Sequence, residues 1–232
     1  LDDDMAGYTV NTSGVTAISE PNTTTSFTIQ LNSMPTGTVD FVLFSTDITE
    51  CTVSPTPFTL TDMTPQLITI TAQDDGLADG TQPCGVSIVR TGGSATEYGV
   101  VPNPADVMTT VNDDDTAGYT LNTSGITAIS EPNTTTSFTI QLNTMPSGTV
   151  DFALFSTDTT ECIVSPTPFT LTDMTPQLIT ITAQDDGLAD GTQPCGVSIL
   201  RTGGTASEYI VVPNPADVMT TVNDDDTAGY TV

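Results

Sequence analysis

The sequence has no histidine, no tryptophan and no lysine, and two arginines stand against 29 aspartates and glutamates in 232 residues. Each absence excludes a class of chemistry. Without histidine there is no Ser–His or Cys–His nucleophile pair. Without lysine there is no Schiff base. Carboxylate chemistry or a metal centre is what remains. A net charge of -27 leaves no basic face to replace counterions on nucleic acid. It also opposes binding to anionic membrane surfaces. No apolar run approaches the ~18 residues of a membrane-spanning helix. No segment repeats its apolar residues at helical spacing, and no C-x-x-C pair occurs. Leu1 opens the chain without a signal-type segment, as expected of a mature or partial chain.

What is present is threonine and repetition. The 49 threonines favour strands and offer hydroxyls for glycans. Asp2-Asp3-Asp4 recurs as Asp113-Asp114-Asp115 and again as Asp224-Asp225-Asp226, at an offset of 111 residues each time. Residues 2–112 and 113–223 differ at 12 positions, mostly by conservative changes such as Val10/Leu121 and Ser33/Thr144. A unit of this length is a domain, far longer than a solenoid module. Two domains are therefore expected, 1–112 and 113–223. Residues 224–232 are then the first strand of a following repeat, or a strand exchanged with a neighbouring subunit.

Within a unit the pattern is that of strands. Phe27, Ile29 and Leu31 alternate with polar residues, as do Ile68, Ile70 and Ala72, and Val86 and Ile88. Val39–Phe44 is a more continuous apolar run, expected at the centre of a sheet, and 106–111 closes the unit. Glu20-Pro21-Asn22, Asp74-Asp75-Gly76, Gly92-Gly93 and Pro102-Asn103-Pro104 are turn sequences. Seven or so short strands at this spacing predict an all-β fold, two tandem antiparallel β-sandwiches of immunoglobulin-like type.

Cysteines fall at Cys51 and Cys84, and again at Cys162 and Cys195. With no histidine and no zinc-type spacing, the reading is one disulfide in each domain, with buried free thiols as the alternative. Disulfides imply an oxidising, extracellular location. Four Asn-x-Ser/Thr sequons, at Asn11, Asn22, Asn122 and Asn133, are candidates for N-glycosylation. Ser54-Pro55-Thr56-Pro57 and Thr23-Thr24-Thr25 are candidates for O-linked sugars. Strand propensity alone is the competing account of the threonine content. Arg90 and Arg201 pair either with a carboxylate of their own domain or with one across an interface.

Acidic residues cluster in Asp74-Asp75-x-x-x-Asp79 and in the aspartate triplets. Such groups repel one another and require a countercharge that this composition lacks. Calcium, which takes 6–8 hard oxygen ligands, can supply it. A solvated acidic face is the alternative.

These residues carry a resemblance. Ile18-Ser19-Glu20 followed by Thr25–Ile29, the Ser45-Thr46-Asp47 turn, the Ala72-Gln73-Asp74-Asp75-x-x-x-Asp79-Gly80 loop and the closing Val111-Asn112-Asp113-Asp114-Asp115 resemble the Calx-beta domain. They resemble still more closely the related tandem repeats of extracellular bacterial surface proteins. The resemblance implies calcium at one end of each sandwich. The first site would be Glu20, Asp47, Asp74, Asp75, Asp79, Asp113, Asp114 and Asp115. The second would be Glu131, Asp158, Asp185, Asp186, Asp190, Asp224, Asp225 and Asp226. Asp2 to Asp4 would serve a preceding unit. The family's glutamate shortly after the double aspartate is missing, since Asp79 runs on to Gly80-Thr81-Gln82.

No enzyme is expected. Asp74 and Asp75 have the carboxylate pair of a glycosidase but no cleft-lining aromatics. The five tyrosines read as strand or core residues. The functional reading is a structural extracellular protein, a calcium-stiffened fibre, filament or stalk assembled head to tail from identical subunits or flanking repeats, and glycosylated. The alternative is a calcium-dependent adhesin that recognises carbohydrate or protein.

Overall fold

The computed structural model describes residues 4–230. It divides into two compact units, Leu1–Asp114 and Asp115–Val232. Each unit is a sandwich of a four-stranded and a five-stranded sheet. In the first unit the strands are β1 (Tyr8–Asn11), β2 (Ile18–Ser19), β3 (Thr24–Leu31), β4 (Val39–Ser45), β5 (Cys51–Ser54), β6 (Phe58–Leu60), β7 (Gln66–Ala72), β8 (Gln82–Gly92) and β9 (Val107–Asn112). The second unit repeats them as β10 (Tyr119–Asn122), β11 (Ile129–Ser130), β12 (Thr135–Leu142), β13 (Val150–Ser156), β14 (Cys162–Ser165), β15 (Phe169–Leu171), β16 (Gln177–Ala183), β17 (Gln193–Gly203) and β18 (Val218–Asn223). One sheet runs β1-β3-β7-β5 and the other β2-β9-β8-β4-β6. All pairs in the first unit are antiparallel except β2 with β9, where Ile18 lies beside Val111 in parallel.

The expected alternation appears as burial. Along β3, Thr25, Phe27, Ile29 and Leu31 are buried while their neighbours are not. Along β7, Ile68, Ile70 and Ala72 point inward. These faces meet Phe41, Leu43, Val86 and Ile88 of the other sheet in one core. The run over 39–44 is central, with β8 on one side and β6 on the other. Its residues still alternate, and Phe44 faces out at 54% exposure. The short strands β2, β5 and β6 have too few residues to alternate visibly, and only the pairing identifies them.

Both disulfides form, Cys51–Cys84 and Cys162–Cys195. Each joins the edge strand of the four-stranded sheet to the middle of the five-stranded one. Closing a loop of this length contributes about 3–4 kcal/mol in the chain-entropy account.

Tyr98 and Tyr209 are fully buried in single 3-10 turns, Thr96–Val100 and Ser207–Tyr209. Tyr8 meets Phe41 edge-on and Phe41 stacks on Phe58. Tyr230 is fully exposed. Arg201 acts within its own unit. Burial works against ionisation of Glu208, yet hydrogen bonds from Ser147 and the charge of Arg201 hold its carboxyl below the usual range.

Residues 224–230 carry no regular structure. The same holds for residues 4–7 and 113–118, which lead into β1 and β10; of the strand itself only Tyr230, the counterpart of Tyr8 and Tyr119, falls within the described residues. The rest of the expected strand, Thr231 and Val232, lies outside the described residues, as do Asp2 and Asp3.

Candidate metal centre

The acidic residues at one end of the first sandwich come from four places. Glu20 follows β2, Glu50 precedes β5, Asp74, Asp75 and Asp79 lie in the β7–β8 loop, and Asp113 to Asp115 follow β9. The topology brings these places to one end of the sandwich. β2 runs parallel to β9, so Glu20 and the residues after Asn112 leave the sheet together. The Glu20 amide donates to the Asn112 carbonyl at 3.0 Å. The Gln73 amide donates to the Glu50 carbonyl at 2.8 Å, which ties the approach to β5 to the start of the acidic loop.

Two clusters result. Glu20, Asp74, Asp114 and Asp115 each offer a carboxylate oxygen within 4.8 Å of the others. Glu50, Asp75 and Asp79 do the same. The second unit repeats both sets as Glu131, Asp185, Asp225 and Asp226, and as Glu161, Asp186 and Asp190.

The glutamates lie deepest. Glu20 is 7% exposed and Glu50 4%. Glu20 Oε2 is buried without a hydrogen-bond partner, and so is Glu131 Oε2. A buried carboxylate oxygen with no donor is costly unless a cation or a proton meets it. Burial, followed by the charge of Asp75, Glu50, Asp113 and Asp74, pushes the Glu20 carboxyl up to about 7. Burial and the charges of Asp79, Asp75, Asp47 and Asp113 push Glu50 to about 7 as well. Burial and neighbouring carboxylates raise Glu131 and Glu161 likewise.

The rims of the clusters are hydrogen-bonded. Gly80 takes φ +78, a left-handed conformation that glycine adopts without strain. Its amide donates to Asp113 Oδ2 at 2.8 Å. The Leu77 amide donates to Asp75 Oδ1 at 2.8 Å, and Thr81 donates to Asn112 Oδ1 at 3.1 Å. In the second unit the Gly191 and Asp226 amides both donate to Asp224, and these bonds hold its carboxyl below the usual range.

Of the residues expected from the sequence, Glu20, Asp74, Asp75, Asp79, Asp114 and Asp115 fall in the clusters, as do their counterparts Glu131, Asp185, Asp186, Asp190, Asp225 and Asp226. Asp47 and Asp158 do not. The Asp47 carboxylate caps its own turn, accepting from the Thr49 amide and hydroxyl, which holds its carboxyl low. Asp158 does the same with Thr160. Asp113 and Asp224 brace the acidic loops through Gly80 and Gly191. Glu50 and Glu161 were not among the expected residues. Their signal was available: each is an acidic residue directly before a cysteine in both repeats. The resemblance carried by Ser45-Thr46-Asp47 points instead to the aspartate of the preceding turn.

The donor set suits a hard cation. All ligand atoms are oxygen, nitrogen ligands are absent with histidine, and the cysteines are oxidised. That is the ligand chemistry of calcium.

The sequon residues Asn11, Asn22, Asn122 and Asn133 are all exposed. Asn22 and Asn133 take φ 64 and 63, a conformation asparagine tolerates. Several candidate O-linked hydroxyls are already engaged. Thr56 bonds the Leu43 amide and carbonyl, Thr25 is buried against Gly14 and Thr16, and Thr23 donates to the Ser19 carbonyl.

No family model matches the chain, and no curated protein matches it. Solved structures resemble it weakly. CBD12 from CALX1.2 aligns over 88% of this chain and 84% of its own at 12% identity, with a TM-score of 0.34. The adhesin InvE of Yersinia pseudotuberculosis aligns over 94% and 58% at 14% identity, TM-score 0.34. Domains 5-6 of the S-layer protein SbsC align over 94% and 96% at 15% identity, TM-score 0.28. At such values none of them assigns this chain a function.

Proposed function

We propose that each unit binds calcium through its two carboxylate clusters, and that the chain is a structural component of an extracellular fibre, filament or stalk. The observation that carries the calcium reading is the buried, unpartnered Glu20 Oε2 among Asp74, Asp114 and Asp115, repeated at Glu131. Calcium supplies there the positive charge that two arginines cannot. Glu20, Asp74, Asp114 and Asp115 would hold one ion, and Glu50, Asp75 and Asp79 a second. An ion on the first set ties the chain leaving β9 to the strand end at Glu20, which stiffens the exit from the sandwich. The role is mechanical, and no reaction is assigned to these carboxylates.

Near-identity of the two units supports a structural role, because a recognition face needs one specialised copy rather than two alike. Assembly would run head to tail between identical subunits or flanking repeats. The disulfides suit an oxidising, extracellular setting, and the exposed sequons can carry glycans there.

Electron microscopy of native material, with calcium and after excess EGTA, tests the reading. Long fibres that become floppy or fragment on chelation are expected. Fibres indifferent to EGTA would overturn calcium as the stiffening element. Short rods in both conditions would overturn self-assembly and leave the chain a segment of a stalk.

A further inference from the structure

The two clusters of a unit are held in different ways. Glu20 is fixed by the β2–β9 pairing and by its own amide bond to Asn112. Glu50 stands at the entrance to β5, a four-residue edge strand with a sheet neighbour on one side only, β7. Beyond that pairing and the Gln73 amide's bond to the Glu50 carbonyl, the covalent tie at this point is Cys51, the next residue, disulfide-bonded to Cys84 on β8 of the opposite sheet. Asp75 and Asp79, the partners of Glu50 in the cluster, lie in the β7–β8 loop, and Asp79 is braced by Gln82 at the start of β8. The disulfide therefore joins the strand that carries Glu50 to the strand into which the Asp75–Asp79 loop runs. Ser45 Oγ touches Cys51 Sγ at 3.3 Å and donates to the Asp47 carbonyl, while the Cys51 amide also reaches that carbonyl. These contacts lock the turn that leads to Glu50. The second unit repeats the arrangement at Glu161, with Cys162 bonded to Cys195 and Ser156 Oγ 3.2 Å from Cys162 Sγ.

Like charges at the Glu50 cluster push this edge strand away from the acidic loop. A covalent link between the two sheets resists that push, and it sits one residue from the glutamate. No comparable link sits at the Glu20 cluster, whose supports are backbone pairs.

We propose that the inter-sheet disulfide positions Glu50, and Glu161 in the second unit, so that calcium affinity at these two clusters depends on the disulfide while affinity at the Glu20 and Glu131 clusters does not. The proposal rests on the calcium reading above.

The test isolates the two classes of site in the full chain. Glu20→Gln with Glu131→Gln leaves the Glu50 and Glu161 clusters to be titrated with calcium. Glu50→Gln with Glu161→Gln leaves the Glu20 and Glu131 clusters. Into each background Cys51→Ala and Cys84→Ala are introduced, the second unit keeping its disulfide as an internal reference. In the first background one of the two sites is expected to weaken by about 10–100-fold, the usual effect of removing a supporting contact behind a ligand. In the second background both sites are expected to stay within about twofold, a change far below that range. The Glu20 site also reports that the first unit has folded. As a second measurement, the chain with all cysteines is refolded in TCEP, which reduces each disulfide to two thiols while the phosphine takes up oxygen from water. The Glu50 and Glu161 sites should then weaken together. Equal affinities with and without the disulfide would overturn the positioning role and leave the calcium reading intact. Parallel loss of both classes would also overturn it, showing the disulfide to be a staple of the whole fold. Absence of binding in the oxidised chain would overturn the calcium reading itself.

Discussion

Glu20 shows how far a sequence motif can place a side chain and what it leaves undetermined. Its position after Ile18-Ser19 and before a proline reads as a strand end, and the strand does end there. Its depth and its unpartnered Oε2 appear where β2 meets β9, which brings Asp114 and Asp115 beside it, while Asp74 arrives from the β7–β8 loop. Glu50 has a mark in the sequence, its place before a cysteine in both repeats, but its part in the cluster depends on where the β7–β8 loop folds back, some 25 residues further along. Asp47 lies outside both clusters because its carboxylate accepts from the Thr49 amide and hydroxyl, a local contact that a lone aspartate in a turn does not announce in sequence. Two predictions belong at this scale. Glu20 and Glu50 have carboxyl pKa values raised to about 7 in the ion-free fold. A raised folded pKa contributes stability below the unfolded value, lost as pH rises through the folded one. Without calcium, the melting temperature should fall between about pH 4.5 and 7, and the gain on adding calcium should widen over the same window. Thermal melts with EGTA and with calcium across that range check both. Glu20→Gln should weaken calcium binding in the first unit at least about tenfold and raise the ion-free melting temperature, since a neutral amide replaces a repelled carboxylate.

At the scale of the element, the long strands were legible because each buries one face. The residues over 26–31, 66–72 and 86–89 alternate in sequence and in burial, while Cys84, Gly85 and Val86 are buried in a row. The strands β2, β5 and β6 were not, because two to four residues cannot show a period and their partners lie far off in sequence. The 3-10 turn around Tyr98 was also unsignalled, since a single turn has no amphipathic repeat. Tyr98 closes the end of the sandwich away from the acidic clusters. Its hydroxyl donates to the Ser33 carbonyl at 2.7 Å from a fully buried ring. Tyr98→Phe keeps the packing and removes that bond, so denaturant unfolding should show a loss of about 1–2 kcal/mol. Calcium affinity should be unchanged, because the clusters lie at the opposite ends of these strands.

For the whole molecule, the repeat determined almost everything that could be read. Two copies with 12 differences fold into two units with the same strand order and the same two clusters. The division falls between Asp114 and Asp115, inside the triplet that marks the repeat. A chain of net charge -27 resists compaction by self-repulsion, which dissolved salt screens. Raising sodium chloride from about 20 mM to about 500 mM should therefore stabilise the calcium-free chain more than the calcium-loaded one. Differential scanning calorimetry in the two states measures this directly.

The central claim is that these carboxylates are calcium ligands rather than a solvated acidic face. Isothermal titration of the oxidised full chain with calcium should be run beside a variant carrying Glu20→Gln, Glu50→Gln, Glu131→Gln and Glu161→Gln. Saturable uptake of one ion for each of the four clusters, lost in the variant, is the expected result. Equal calcium uptake by the two proteins would contradict it.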